Sequence, residues 1–152
     1  MIVYRLSKSS YCNDLSGKGA ELWGGRWNSK GLALVYTSES RALCITEIAV
    51  HTPLGIVPED YCLSTIEIPG DTTVKEIKLS QLSADWKSFP HAESTQVIGN
   101  EFIRSKKDLV LKVPSAIVPG EFNYLINPAH PGISKIRIVN TDAFLFDERL
   151  FK

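Results

Sequence analysis

A glycine-rich stretch near the start of the chain restricts where a core can form. Five of the ten glycines lie within fifteen residues, at positions 17, 19, 24, 25 and 31. Glycine weakens helix and strand interiors, so we expect about twenty-five irregular residues here, ending near Lys30 and Gly31. A loop of this length usually carries function. The core must come from the rest of the chain, whose 152 residues fit one domain, 1–152.

Apolar patterns elsewhere predict both strands and helices. The predicted strands are residues 2–6, 32–36, 61–68, 74–77, 109–113, 122–126 and 134–140. The predicted helices run from a cap at Ser38 or Ser40 to His51, near 79–85, and over 91–106. Residues 74–77 are expected to pair with 61–68, and prolines confine the later strands to sheet edges or strand starts. The sum is an α+β domain with a mostly antiparallel sheet and flanking helices.

The charge balance and the apolar pattern exclude two classes of partner. Seventeen basic and seventeen acidic residues cancel, so the whole molecule has no broad attraction to nucleic-acid phosphates. No stretch approaches the ~18–20 consecutive apolar residues of a membrane span, and the first residues lack the apolar core of a signal peptide. We therefore expect a cytoplasmic protein that binds neither nucleic acid nor membrane.

The cysteines and histidines are few and scattered. Cys12, Cys44 and Cys62 are odd in number and form no CxxC pair, which argues against a disulfide framework and a structural zinc site. The histidines are His51, His91 and His130, and no local spacing suggests a ligand set. We expect a reducing environment and no metal.

The glycine-rich stretch also carries Lys18, Arg26, Lys30 and two of the three tryptophans. Glycines let backbone N–H groups approach an anion, an arginine fork matches phosphate oxygens, and an indole covers a base. This combination predicts a site for a phosphorylated small molecule around Gly24-Gly25-Arg26-Trp27-Asn28. The alternative is a surface loop that its tryptophans anchor to the core. The spacing fits neither a Rossmann fingerprint nor a P-loop.

Glu47 is the second feature of interest. Leu43, Cys44 and Val50 flank it at helical spacing, so a carboxylate stands among apolar neighbours. Such a carboxylate either pairs with another group or lies at the edge of a cleft. The alternatives are a contact with His51 one turn further on and a simple exposed helix face. Cys44 itself is expected to pack rather than react.

Polar residues at predicted strand ends are weaker signals. Tyr36 can face either the core or a cleft. Ser115 follows Pro114, and the two alternatives are an exposed hydroxyl at a sheet edge and a proline–serine turn, of which the turn is the commoner. Asn123 and Asn127 lie in a proline-bounded segment and fit loop scaffolding equally well.

Taken in order along the chain, these residues resemble the RES domain, a family named for arginine, glutamate and serine. The resemblance covers nearly the whole chain, with little contribution from residues 70–105. It is carried by Tyr4-Arg5-Leu6, Gly24-Gly25-Arg26-Trp27-Asn28, Val35-Tyr36-Thr37, Glu47 with His51, Pro114-Ser115-Ala116, Asn127-Pro128 and Phe146-Asp147-Glu148-Arg149-Leu150. The last block lacks the proline expected before its arginine.

The resemblance implies a fold similar to ADP-ribosyltransferases and a toxin of a bacterial toxin–antitoxin pair that degrades NAD. It places the catalytic group at Arg26, Tyr36, Glu47 and Ser115. It places the NAD contacts at Arg5, Gly25, Arg26, Trp27, Asn28 and Tyr36. In this interpretation Glu47 binds the nicotinamide-side ribose, the arginines hold the pyrophosphate, Tyr36 flanks nicotinamide, and Ser115 orients these groups.

The resemblance also implies a partner, an Xre-type antitoxin protein that covers the active site, while a homodimer is left open. Two other functions remain at this point. One is transfer of ADP-ribose from NAD to a specific protein, which would use the same site with another acceptor. The other is a non-catalytic module that binds a nucleotide or a sugar.

Overall fold

The computed structural model describes all 152 residues and arranges them around one seven-stranded sheet. The strands are β1 Ile2–Lys8, β2 Val35–Ser38, β3 Tyr61–Glu67, β4 Val74–Glu76, β5 Val110–Pro114, β6 Phe122–Ile126 and β7 Arg137–Phe144. The helices are α1 Lys18–Trp23, α2 Arg41–His51 and α3 Glu93–Ser105. Single turns of 3₁₀ helix occupy Ser9–Tyr11, Leu79–Gln81, Ile133–Lys135 and Glu148–Phe151. None of the helices has the length and apolar composition needed to cross a membrane.

The strand order is β4-β5-β6-β2-β1-β3-β7, and only β4 and β5 run parallel. The predicted α+β class with a mostly antiparallel sheet is therefore confirmed. The predicted pairing of residues 74–77 with 61–68 is wrong. Because β1 and β7 occupy both edges of β3, β4 pairs instead with the free edge of β5.

Both faces of the sheet are covered by apolar side chains. Neighbouring residues of one strand project to opposite faces, so Leu111 packs in one cluster and Val110 in another. The first cluster joins the sheet to α3 and includes Trp27 and Phe102. A third cluster, which includes Cys44 and Phe151, lies where α2 meets β1 and β3. The clusters fix both helices against the sheet.

Some helices and strands have other boundaries than the sequence predicts, because tertiary contacts determine where they begin and end. The expected helix over 79–85 is reduced to the turn Leu79–Gln81, and the strand expected over 134–140 moves to Arg137–Phe144. Helix α1 lies inside the stretch predicted to be irregular. It is bounded by Gly17 at φ 70° and Gly24 at φ 72°, a left-handed backbone that glycine adopts without strain.

The cysteines contradict the expectation of no disulfide. Cys12, in the loop after β1, is bonded to Cys62 of β3, and their Cα atoms are 6.0 Å apart. Fifty positions separate the two residues in sequence, and only the antiparallel pairing of β1 with β3 brings them together. Cys44 is a free, buried thiol, and burial raises its pKa to about 11. It packs in the core, as expected.

Gly99 of α3 marks the place where this helix crosses the glycine-rich loop. A Cβ atom built there would lie 1.6 Å from the carbonyl oxygen of Trp27. Gly99→Ala should lower the free energy of unfolding by about 1–3 kcal/mol, because the helix and the loop must move apart. Urea denaturation measures this change. Gly70→Ala, where the same atom meets nothing within 4 Å, is the matched control, and equal stability of the two variants would contradict the packing.

Candidate active site

A cavity of about 820 Å³ opens between the glycine-rich loop, α2 and the ends of β2, β5 and β6. This volume is within the ~300–1,000 Å³ range of small-molecule sites. Its wall includes six of the eight predicted site residues: Arg5, Gly25, Arg26, Trp27, Tyr36 and Glu47. The other two, Asn28 and Ser115, do not border it. No cluster of histidine, cysteine and carboxylate groups suited to a metal ion is present.

Glu47 is half-buried on the cavity side of α2, a helix that Ser40 caps by accepting a hydrogen bond from Leu43 N. The Asn123 amide donates to Glu47 Oε1 at 2.9 Å. Ser38 Oγ in turn donates to Asn123 Oδ1 at 2.7 Å, which fixes the orientation of the amide. Glu47 thus has a neutral hydrogen-bond donor as its partner, and no cation forms an ion pair with it.

Arg26 connects the loop to another wall of the cavity. Its Nη1 atom donates to the carbonyl oxygens of Trp86, at 2.7 Å, and Ser88, at 3.1 Å. Partial burial lowers the pKa of Arg26, while the nearby Glu47 carboxyl raises it. The guanidinium remains charged in either case, since arginine is not deprotonated in proteins. Nη1 of Arg26 therefore has a structural role, and the other guanidinium nitrogens form no hydrogen bond within the protein.

Arg5 is arranged in a similar way on β1. Its Nη1 atom donates to the carbonyl oxygens of Asp14 and Tyr11, which belong to the loop after the strand. Burial lowers the pKa of Arg5, and the charge of Asp14 opposes that shift. The side chain also borders the cavity. The sequence predicts neither the carbonyl contacts of Arg5 nor those of Arg26, because the accepting carbonyls belong to separate loop segments.

Tyr36 holds the loop with its hydroxyl. Tyr36 Oη donates to Asn28 Oδ1 at 2.6 Å and accepts from Trp27 N at 3.0 Å. Asn28 is fully buried and donates to the carbonyl oxygens of Ala20, at 2.7 Å, and Leu32, at 3.0 Å. A Cβ on Gly25 would lie 2.6 Å from the Tyr36 hydroxyl, so the close approach needs glycine. Desolvation by burial raises the pKa of Tyr36.

The two tryptophans of the loop have different environments. Trp27 is 2% exposed and packs in the core with Leu34 and Phe102. Trp23, at the end of α1, is 78% exposed. The ring of Trp27 therefore anchors the loop to the core, which is the alternative that the sequence left open for these residues.

Ser115 lies behind the cavity wall. It is 3% exposed, and its Oγ accepts hydrogen bonds from Ile117 N at 3.1 Å and Val118 N at 3.0 Å. Its own N–H donates to Glu121 O at 2.8 Å. The hydroxyl thus shapes the turn after β5, and neighbouring Pro114, Ala116 and Ile117 form the wall itself.

Sequence reasoning missed two parts of this site. The sequence predicts no contact between Asn123 and Glu47, because this contact depends on the pairing of β2 with β6, where Ser38 and Asn123 are opposite each other. The sequence also predicts no binding role for the segment that carries Phe89 and His91, although His91 begins the helix expected over 91–106. A proline and two aromatic or heteroaromatic residues in a loop provide no periodic signal, although both rings border the cavity.

Together the fold and the cavity define a class of protein: an α+β domain that presents one anchored carboxylate and two arginines in a cleft of nucleotide size. A family model described as the RES domain matches residues 2–147. This chain belongs to the RES domain family.

Named relatives cover nearly the whole chain. The Prs ADP-ribosylating toxin of Sphingobium sp. (strain YBL2) is 37% identical over 142 residues, which is 92% of this chain and 88% of that protein. Toxin Res of Photorhabdus laumondii subsp. laumondii is 36% identical, covering 100% of this chain and 98% of the relative. Toxin Res of Pseudomonas putida is 39% identical, covering 99% of this chain and 100% of the relative.

A solved structure has a similar fold. A chain in the crystal structure of the M. tuberculosis MbcT–MbcA toxin–antitoxin complex superposes with a TM-score of 0.73 at 22% identity. The similarity covers 99% of this chain and 86% of that one. It supports the expected fold, an α+β domain with a mostly antiparallel sheet.

The role of the Tyr36 hydroxyl in holding the loop can be tested by stability. Tyr36→Phe leaves the buried Asn28 oxygen and the Trp27 N–H without this partner, and should lower the free energy of unfolding by about 1–3 kcal/mol. The hydroxyl of Tyr11, on a residue 54% exposed, forms no hydrogen bond, so Tyr11→Phe is the matched control. If chemical denaturation finds both variants as stable as the parent, the hydroxyl does not hold the loop.

Proposed function

We propose that this protein is the toxin of a toxin–antitoxin pair and that it degrades NAD by cleaving the bond between nicotinamide and ribose. The observation that carries the proposal is the Glu47 carboxylate, held by Asn123 in a nucleotide-sized cavity that two arginines border. The relatives named as toxins support the first part. The relative named as an ADP-ribosylating toxin supports NAD as the substrate, since NAD is the donor of ADP-ribose.

The reaction requires what Glu47 offers. As nicotinamide leaves as a neutral molecule, positive charge develops on the ribose in an oxocarbenium-like transition state. An anionic carboxylate fixed beside that ribose stabilises the developing charge without having to reorganise. Asn123 holds Oε1, and Oε2 has no partner within the protein. We assign Oε2 to the ribose hydroxyls and to the attacking water.

The arginines fit the pyrophosphate of NAD. Each arginine donates from Nη1 to two backbone carbonyls, which holds its side chain in place. The remaining N–H groups of Arg26 and Arg5 are available to bind an anion. Charge-assisted hydrogen bonds from an arginine fork to phosphate oxygens are among the stronger polar contacts in proteins. The chain as a whole is neutral, so this local pair supplies the attraction for the dinucleotide.

The other predicted residues receive positioning roles. Tyr36 borders the cavity while its hydroxyl holds the loop, so its ring can flank nicotinamide. Gly25 allows the loop to approach that hydroxyl, and Trp27 and Asn28 hold the loop from beneath. Ser115 shapes the wall after β5 and acts on the substrate only through that wall.

We further propose an antitoxin of the Xre type as the partner that covers this cavity, and the cytoplasm as the place where both proteins act. The support is the similarity in fold to a chain of a toxin–antitoxin complex, together with the names of the relatives. A protein that consumes NAD would harm its own host unless its cavity were blocked.

A second candidate function is transfer of ADP-ribose to a specific cellular protein. The name of the Sphingobium relative favours it. The same carboxylate and arginines would serve, and a protein nucleophile would replace water as the acceptor. Mass spectrometry of a lysate incubated with NAD separates the two, because transfer leaves a modified polypeptide and hydrolysis leaves free ADP-ribose.

Glu47→Gln tests the central assignment. The amide keeps the shape but loses the negative charge, so nicotinamide release from NAD should fall at least tenfold, equivalent to ~1.4 kcal/mol of transition-state stabilisation. Chromatography of released nicotinamide measures the rate. Glu101→Gln, on the exposed face of α3, is the matched control and should retain the parent rate. Equal release by Glu47→Gln and the parent would remove Glu47 from catalysis. Binding of NAD with no turnover by the parent would instead favour a non-catalytic module.

Asn123→Ala tests how Glu47 is positioned. A hydrogen bond to a charged group contributes ~1.5–3 kcal/mol, so kcat should fall roughly tenfold or more while KM changes much less. Such a split is not expected from a general loss of folding, which lowers the amount of active protein. Asn140→Ala, on the exposed strand β7, should leave both constants unchanged. A parent-like kcat for Asn123→Ala would show that Glu47 needs no such support.

A further inference from the structure

Three rings form a continuous row at the edge of the cavity. His51 ends α2, one helical turn or ~6 Å beyond Glu47. The ring centroid of Phe89 is 5.7 Å from that of His51 and 5.3 Å from that of His91. All three residues border the cavity. The row therefore lies within reach of the same ligand that would meet Glu47.

The row is held in place although its central ring is exposed. Phe89 is 72% exposed, which is unusual for a large apolar side chain. Two contacts hold the backbone that precedes Phe89. The Trp86 side chain is buried in the core, and the carbonyl oxygens of Trp86 and Ser88 accept hydrogen bonds from Arg26. An aromatic ring kept at a cavity mouth by such anchors is available to cover a flat ligand.

His91 contributes a neutral imidazole to this row. Its Nδ1 atom is buried and has no hydrogen-bond partner in the protein. Burial lowers the pKa of His91, and the charges of Arg26 and His51 lower it further. Near neutral pH the imidazole is therefore neutral, and its face can stack on a heterocycle without repelling a cationic one.

We propose that His51, Phe89 and His91 form the subsite that binds a planar nitrogen heterocycle of the nucleotide substrate. The inference rests on the proposed function and concerns residues to which the family resemblance assigns no role. The Arg26 contacts place this row next to the group proposed to bind the pyrophosphate, and a base of a dinucleotide lies within reach of its phosphates. Either nicotinamide or adenine has the required flat aromatic ring, and stacking of such rings adds ~0.5–1.5 kcal/mol beyond burial.

The test is equilibrium binding by calorimetry, with two ligands that each carry one of the bases. Nicotinamide mononucleotide has only the nicotinamide ring, and ADP-ribose has only the adenine. Phe89→Leu keeps an apolar side chain but removes the ring, and should raise the Kd of one of the two ligands about fivefold. Phe89→Trp should restore the Kd to within about twofold of the parent. The ligand that responds identifies the base.

Leu145→Ala is the matched control, because Leu145 is 91% exposed and lies outside the cavity. Unchanged Kd values of both ligands for Phe89→Leu would overturn the subsite, and so would a lack of measurable binding of both ligands to the parent. These outcomes are separate from the proposed reaction, which nicotinamide release reports. A parent that binds ADP-ribose in a Phe89-dependent manner but releases no nicotinamide would retain the subsite and refute the reaction.

Discussion

The buried amide of Asn28 is the contact on which the rest of the site depends. A buried polar group without partners is costly, and Asn28 has them on both sides: two carbonyls accept from its NH₂ group and the Tyr36 hydroxyl donates to its oxygen. These bonds join α1, the loop and β2. The Trp27 ring next to these bonds is buried in the core. Gly99 allows α3 to approach the backbone carbonyl of Trp27 closely. The loop is consequently rigid despite its glycine content.

Both arginines combine structure with charge. Each donates to two backbone carbonyls, so Arg5 stabilises the loop after β1 and Arg26 joins the glycine-rich loop to the segment with Phe89 and His91. The positive charges are thereby fixed before any ligand arrives. Pre-organised charges of this kind bind and stabilise anions without a further loss of side-chain freedom.

The helical position of Glu47 was predictable from the sequence, but its hydrogen-bond partner was not. Helical spacing placed Glu47 among apolar neighbours. Helix α2 ends at His51 as predicted, and of the two predicted caps, Ser38 and Ser40, the structure has Ser40. The partner of Glu47 was not predictable, because Asn123 lies 76 positions away and reaches it only through the register of β2 with β6. The missed Cys12–Cys62 bond and the pairing of β4 with β5 have the same cause: strand order depends on which edges remain free.

Local patterns in the sequence by themselves determined the α+β class, the limits of most strands and helices, and the importance of the glycine-rich stretch. Each depends on residue type and spacing along the chain. Only the tertiary structure decided that Tyr36, Asn28 and Ser115 satisfy buried polar groups, that Trp27 belongs to the core, and that Phe89 and His91 border the cavity. Whether a side chain faces a ligand or the backbone depends on which distant segments pack beside it, and that is settled only when the sheet and its loops assemble.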